Sequence, residues 1–520
     1  MRAGCRSVIA VLILLLLASP PGFALAAESA ADLVGIQVLT VNDFHGALSE
    51  NGLNPGAAKL AGVIRAAKDK NPVGTLILSA GDMFQGTPDS NLLGGKPVVA
   101  VMNAVGFDAM ALGNHEFDWG IGVLKERIGE STFPYLAANV VDKATNQVAA
   151  FVRPYSILER CGVKIAVIGL STPETAYKSD AKTVAAFIFQ DPSATVHALL
   201  PELERQKVDV IIALTHLAAY QDSDGTISDD AAVLAAREPA LAAVVSGHSH
   251  QTVAGKVAGI PVVQAWYSGR AVGEIELIYK KSTHQVIFST ATVMKVTVEG
   301  APSDPVVAAL VAKAGQEVAP VKNRLMGKTT VRLDHDREGQ ESSLLGQWTT
   351  DRMREAAGAD IAFENAGGLR TAIPAGDITM GNFYEVLPFD NTLVTVDMTG
   401  AQIMKVLQHG LPGGKFGMVQ FSGIKVAWDS SLPAEGRILA VTLPDGTPLA
   451  ADRSYRVVTN DFMAAGGDGF TMFREGQNMV DTNMPLRNVL ADYLQKTPLI
   501  SPLLDDRCTD VRQAKLPLAA

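Results

Sequence analysis

The chain has 520 residues, 48% of them hydrophobic and 19% charged, with a formal net charge of −10. This composition excludes a disordered protein and leaves apolar surface for more than one core, about two to four domains by length. The acidic balance also disfavours a nucleic-acid polymer as partner, whose phosphates are bound through Lys and Arg, although a small anionic substrate stays open if metal ions supply positive charge locally.

Residues 1–26 stand apart. Arg2 and Arg6 precede an apolar run over 8–17, and Ala24-Leu25-Ala26 fits a small-x-small cleavage site before Ala27. The run is too short to span a bilayer, so a cleaved secretory signal is expected, with an uncleaved anchor as the alternative. Loss of Arg2 and Arg6 takes the charge to about −12. No second apolar run of spanning length follows, which predicts a periplasmic or secreted protein. Cys5 leaves with the signal; Cys161 and Cys508 can form one disulfide in an oxidising compartment or stay as two thiols. Neither has metal-ligand spacing.

From residue 27 to about 300 the pattern alternates between short apolar runs and helical spacings, as in a layered α/β domain. A strand over 34–41 leads into Asn42-Asp43-Phe44-His45, where Asp43 and His45 are two apart and share a side in extended backbone. A helix over 59–68 precedes a buried strand over 75–80 ending in Gly81-Asp82. A helix over 98–105 and a strand over 109–112 lead to Gly113-Asn114-His115-Glu116-Phe117-Asp118. Further strands over 163–169, 208–214 and 241–246, with a helix over 194–206, lead to His216 and to His248-Ser249-His250. Residues 262–265 and 272–279 add β-structure. A Pro-flanked helix is predicted within a linker over 301–326, with apolar spacing at Val306, Leu310 and Val311. A second α/β domain follows over 327–500, with a helix over 342–357, a strand over 360–364 and β-rich runs at 393–396 and 456–458. The tail over 501–520 is polar and weakly patterned.

A single Asp or His at a strand end is ordinarily a turn former. Here Asp43, His45, Asp82, Asn114, His216, His248 and His250 all lie at strand ends in one domain, and the motifs hold five of the nine histidines. Open α/β sheets collect ligands at the carboxyl ends of their strands. Carboxylate, amide and imidazole donors suit borderline divalent ions, zinc or manganese first, with cobalt or magnesium as alternatives. The pattern reads as a metal-dependent hydrolase. Asp118, three residues beyond His115, can reach it within one helical turn and fix its tautomer; the plainer reading is an acid at a helix start.

Asn-Asp-Phe-His, Ser-Ala-Gly-Asp, Gly-Asn-His-Glu-Phe-Asp, Thr-His and Gly-His-Ser-His, in this order, resemble the calcineurin-like metallophosphoesterases and more closely the 5'-nucleotidase family. The resemblance covers nearly all of the mature chain. It implies a metallophosphoesterase β-sandwich flanked by helices and a second, substrate-binding α/β domain. It also implies two divalent metal ions, one held by Asp43, His45, Asp82 and His250, the other by Asp82, Asn114, His216 and His248, with Asp82 bridging. His115 is then the catalytic histidine, oriented by Asp118.

Asn365-Ala-Gly-Gly-Leu-Arg370, Leu387-Pro-Phe-Asp-Asn391 and the segment from Asn460 to Phe470 resemble the family's C-terminal domain. That likeness implies a base held between Phe462 and Phe416, a ribose contact at Asp468 and a phosphate-side Arg370. Phe416 takes the place of a ring that the family carries just before a segment like Val419-Gln420-Phe421-Ser422-Gly423. For each Phe the plain alternative is core packing, while the glycines around Asp468 favour a close-approach loop. The implied activity is hydrolysis of nucleoside 5'-monophosphates, with UDP-sugars as further substrates. The related alternatives are a 2',3'-cyclic-nucleotide phosphodiesterase with 3'-nucleotidase activity and a thiosulfohydrolase. A non-catalytic binding protein fits poorly with so complete a ligand set.

Overall fold

The computed structural model describes residues 32–512 apart from 53, 338, 340, 412–416 and 434. The secretory signal expected over 1–26, and Phe416, lie outside the described residues. The chain divides into two units that part between Glu317 and Val318, within the helix Pro305–Lys322.

In the first unit, short apolar strands build two six-stranded sheets. One runs in the order Gln285–Lys295, Ala271–Lys280, Leu33–Val41, Thr75–Ser79, Ala109–Ala111, Tyr135–Leu136; its last four strands are parallel and its first two form an antiparallel hairpin. The other runs Thr252–Val257, Ile260–Ala265, Ala243–Val245, Val210–His216, Val163–Ser171, Tyr155–Arg160, parallel in the middle and antiparallel at each edge.

Alternation decides which face of each strand meets which layer. Val34, Ile36, Val38, Leu76 and Leu78 from one sheet pack with Val163, Ile165, Ile212 and Val245 from the other. The intervening Leu39, Val41 and Ile77 face Leu60, Ile64, Val98 and Met102 of helices Gly56–Lys68 and Lys96–Val105. Ala166, Ile168, Ala213 and Val244 face Val196, Leu203 and Leu234 of helices Pro192–Arg205 and Asp230–Arg237. Strands buried on both faces in this way carry nearly continuous apolar runs. The result is the expected sandwich flanked by helices.

The second unit centres on a five-stranded sheet, Gln420–Ser422, Ile361–Glu364, Ser454–Asn460, Thr392–Thr399, Gln477–Pro485. Ala362, Leu393 and Val458 point into one core, and Ile361, Phe363, Val396 and Val457 into another. Helix Leu344–Ala357 starts at Ser343, whose hydroxyl accepts from the Gly346 N–H, and stops at Gly358 with φ 57°. Helix Gly400–Gly410 starts with a reciprocal Thr399 and Gln402 capping box.

Two features depart from the sequence reading. The hairpin strand Gln285–Lys295 has no strong alternation because it is a sheet edge that buries little. The expected polar tail contains the strand Cys508–Asp510, paired parallel to Lys425–Trp428. It is anchored by the buried Arg507, which pairs with Asp351 at 2.8 Å and Asp505 at 2.7 Å, so a charged residue does the holding that an apolar pattern would have announced. Cys508 is a free, half-buried thiol, so no Cys161 to Cys508 bridge forms. Burial pushes its pKa up to about 12 and leaves it unreactive.

Candidate active site

The parallel register aligns the carboxyl ends of the strands: Val41 lies beside Ser79, and Leu214 beside Val245. Each chain then turns sharply. Asp43, His45, Asp82, His248 and His250 all adopt positive φ, between 48° and 72°. Such backbone costs a non-glycine residue on the order of 1–3 kcal/mol and persists where the surroundings over-determine it. Glycine makes the crowding feasible: a Cβ on Gly113 would lie 2.1 Å from Asp82 Oδ1, and one on Gly81 2.5 Å from the Gly113 nitrogen.

These turns bring two groups of donors together, Asp43, His45 and His250 in one and Asp82, His216 and His248 in the other. In the first, His45 Nε2 lies 3.0 Å from His250 Nε2, which is 3.4 Å from Asp43 Oδ1. In the second, His216 Nε2 lies 3.0 Å from Asp82 Oδ2 and 4.0 Å from Asp43 Oδ1, which links the groups. All are buried except His248, which is nearly so.

The outer contacts set the tautomers. The Nδ1–H of His45 donates to the Gln85 carbonyl at 2.9 Å, and that of His216 to the Ala80 carbonyl at 2.7 Å. A carbonyl oxygen only accepts, so in both rings Nδ1 carries a proton and Nε2, which is turned toward the cluster, is the atom with a lone pair once the ring is neutral. The Asn114 amide nitrogen donates to the Lys178 carbonyl at 3.1 Å, and its buried Oδ1 makes no hydrogen bond. Bare oxygen and imidazole lone pairs converging in a buried space fit a divalent cation.

The electrostatics point the same way. Burial alone would raise the Asp82 carboxyl, but the imidazoles of His216 and His115 outweigh it and hold the group well below the usual range. Burial opposes charge on His216, yet Asp82 and Asp43 lift its pKa to about 9. Burial raises Asp43, although His216 draws it back. Burial holds His248 down at about 4 and therefore neutral. The cluster attracts positive charge.

His115 opens a one-turn 3-10 helix, His115–Phe117, which brings Asp118 Oδ2 to 2.8 Å from His115 Nδ1. The opposite nitrogen, Nε2, lies 4.0 Å from Asp82 Oδ2. His115 also donates its backbone N–H to Asp82 Oδ1 at 2.9 Å.

In the second unit, Asp468 is buried in a turn with φ 51°. Its Oδ2 accepts from the Asn365 amide at 2.8 Å, Asn365 Oδ1 accepts from Asn460 at 2.9 Å, and Asn460 also donates to Glu364 Oε1 at 2.9 Å. Phe462 is partly buried against the core, with its ring edge 2.5 Å from where a Gly467 Cβ would stand. The Arg370 guanidinium lies 5.7 Å from the centre of the Phe389 ring.

Residues 36–252 match the calcineurin-like phosphoesterase family, and 325–475 match the 5'-nucleotidase C-terminal domain. The UshA protein of Yersinia enterocolitica is 32% identical, over 92% of this chain and 94% of its own. The chain belongs to the 5'-nucleotidase family. Within that family, a 5'-nucleotidase of Vibrio cholerae is 31% identical over 88% of this chain and 90% of its own. The crystal structure of a 5'-nucleotidase precursor from Thermus thermophilus superimposes with a TM-score of 0.80 at 30% identity, covering 92% of this chain and 99% of that one. The sulfate thiohydrolase SoxB of Thermus thermophilus shares the fold, with a TM-score of 0.71 at 19% identity.

Sequence reasoning passed over two carboxylates in this 5'-nucleotidase family site. Glu116 accepts the backbone N–H groups of Asp82, Met83 and Gly113, each at 2.8 Å, so it ties two ligand loops together. Its place inside the Gly-Asn-His-Glu motif was the available signal. Glu174 lies 2.8 Å from His248 Nε2, and nothing local in its sequence marks it. Among the described residues, no helix is long and apolar enough to cross a membrane.

Proposed function

We propose that this enzyme of the 5'-nucleotidase family hydrolyses nucleoside 5'-monophosphates to nucleoside and phosphate outside the cytoplasm, with UDP-sugars as further substrates. The observation that carries the reading is the pair of buried donor groups with the His115 and Asp118 pair beside them. Asp43, His45 and His250 would hold one divalent ion, and Asn114, His216 and His248 the other, with Asp82 shared. Two such ions supply a water of lowered pKa and a clamp on the phosphoryl oxygens.

The remaining steps belong to the protein. Asp118 accepts from His115 Nδ1–H and fixes the ring, so Nε2 faces the donor cluster; as an imidazolium the ring would stabilise the phosphoryl group and pass its Nε2 proton to the leaving ribose oxygen. In the second unit Phe462 would stack on the base, Asp468 would accept from the ribose hydroxyls and Arg370 would meet the phosphate; Phe416 is proposed as the second ring. Stacking discriminates little among bases, because every base offers a π-face, so broad nucleotide use is expected.

The test is phosphate release from 5'-nucleotides, 3'-nucleotides, 2',3'-cyclic nucleotides, UDP-glucose and thiosulfate esters, with zinc, manganese, cobalt and magnesium compared. Turnover of AMP well above the 3'- and cyclic nucleotides supports the proposal. The reverse order would replace it with a cyclic phosphodiesterase.

A further inference from the structure

One short segment touches both His248 and Asn114, which the two-metal reading assigns to the same ion. Glu174 precedes the one-turn helix Thr175–Lys178. Its Oε2 lies 2.8 Å from His248 Nε2 and 3.1 Å from Lys178 Nζ. An ionised carboxylate only accepts, so Nε2 carries the proton and the His248 lone pair is left on Nδ1. At the other end of the segment, the Lys178 carbonyl accepts from the Asn114 amide nitrogen at 3.1 Å, and the Ser179 hydroxyl donates to the Asn114 backbone carbonyl at 2.7 Å. With its nitrogen so engaged, Asn114 turns its Oδ1 the other way, where it is buried and makes no hydrogen bond. The hydrogen bonds described for the Asp43, His45 and His250 side chains reach Asn42, Gln85 and the His248 backbone N–H, which donates to Asp43 Oδ2 at 3.0 Å, and not the side chains of residues 174–179.

We propose that residues 174–179 orient His248 and Asn114 together and so set the affinity of one metal site independently of its neighbour, with Glu174 as the positioning residue for His248. The inference rests on the two-metal reading. Partners of this kind fix the tautomer and direction of a ligating imidazole, and their loss typically weakens metal binding by about 10- to 100-fold. The Lys178 ammonium lies 3.1 Å from Glu174 Oε2, which links the two halves of the segment.

Metal-free protein titrated with zinc against a chromophoric chelator tests this directly, with bound metal counted by mass spectrometry. Wild type should bind two ions. Glu174→Ala should weaken one of the two constants by roughly 10- to 100-fold and leave the other unchanged. Glu174→Gln, which can still accept from the imidazole, should recover most of the loss and guards against a folding defect. In a His248→Ala background, Glu174→Ala should add no further loss, because its effect passes through that ring. Two unchanged constants in Glu174→Ala, equal weakening of both, or a full additional loss in the His248→Ala background would each overturn the proposal alone. Fewer than two ions in wild type would overturn the two-metal reading and the proposal with it.

Discussion

Asp82 in the first unit and Glu364 in the second are equally buried, yet their carboxyl groups are driven in opposite directions. Asp82 stands among imidazoles, and His216 and His115 hold it well below the usual range against the effect of burial. Glu364 accepts from the carboxamide of Asn460 and stands near the carboxylates of Asp461 and Asp468, and burial lifts it to about 8. Imidazole neighbours bring lone pairs and the capacity for charge; carboxamides bring neutral dipoles. The first environment offers a candidate site for a cation; the second is a hydrogen-bonded network of neutral groups around one buried carboxyl.

The contrast is broken most severely at Asp82. Asp82→Asn removes the anion proposed to be shared by the two ions and should cut AMP hydrolysis by on the order of a thousandfold or more, as the loss of several kcal/mol of charge stabilisation requires. Bound metal should fall with it. Wild-type turnover with two ions bound would refute the assignment. His115→Ala should separate chemistry from binding in the same region: both ions stay, while kcat drops by about 10²- to 10⁴-fold, the usual contribution of a general acid. Metal loss with unchanged turnover per loaded site would remove His115 from the chemistry.

These two residues were also the most legible. The proposed ligand and catalytic groups sit within a few positions of strand ends, and strands buried on both faces announce themselves as apolar runs, so the positions of Asp43, Asp82, Asn114 and His115 beside one another could be expected from sequence. Glu174 could not, since its contact with His248 spans 74 residues and depends on how the sheet closes. The same holds for Arg507, which anchors a terminal strand through Asp351, 156 positions away. Polar anchors leave no periodic trace. Phe462 was legible as a ring in a glycine-rich loop, but its partial burial comes from tertiary packing.

A weaker perturbation lies in the second region. Phe462→Ala and Asp468→Ala should reduce kcat/KM for AMP by about 5- to 150-fold, the equivalent of the roughly 1 to 3 kcal/mol that stacking on a base contributes. Hydrolysis of p-nitrophenyl phosphate should fall much less, because that ester carries neither ribose nor base. Equal losses on both esters would show that these residues support the fold of the Asn365 and Asn460 network instead of reading the nucleoside.

The last perturbation concerns stability, and it tests the contrast at its source. In the fold, Glu364 keeps its proton up to about pH 8, whereas the unfolded chain releases it above the ordinary value of 4.5. The native state therefore binds more protons across that window. By linkage, the contribution of this group is complete below about pH 4.5 and is lost as the pH rises toward 8. Glu364→Gln keeps an acceptor for the Asn460 amide but cannot ionise. Its urea midpoint should fall less than that of wild type between pH 5 and 8, and the two proteins should differ most at the upper end. If wild type and variant decline in parallel, the carboxyl is already ionised in the fold, and the second region carries a buried charge after all.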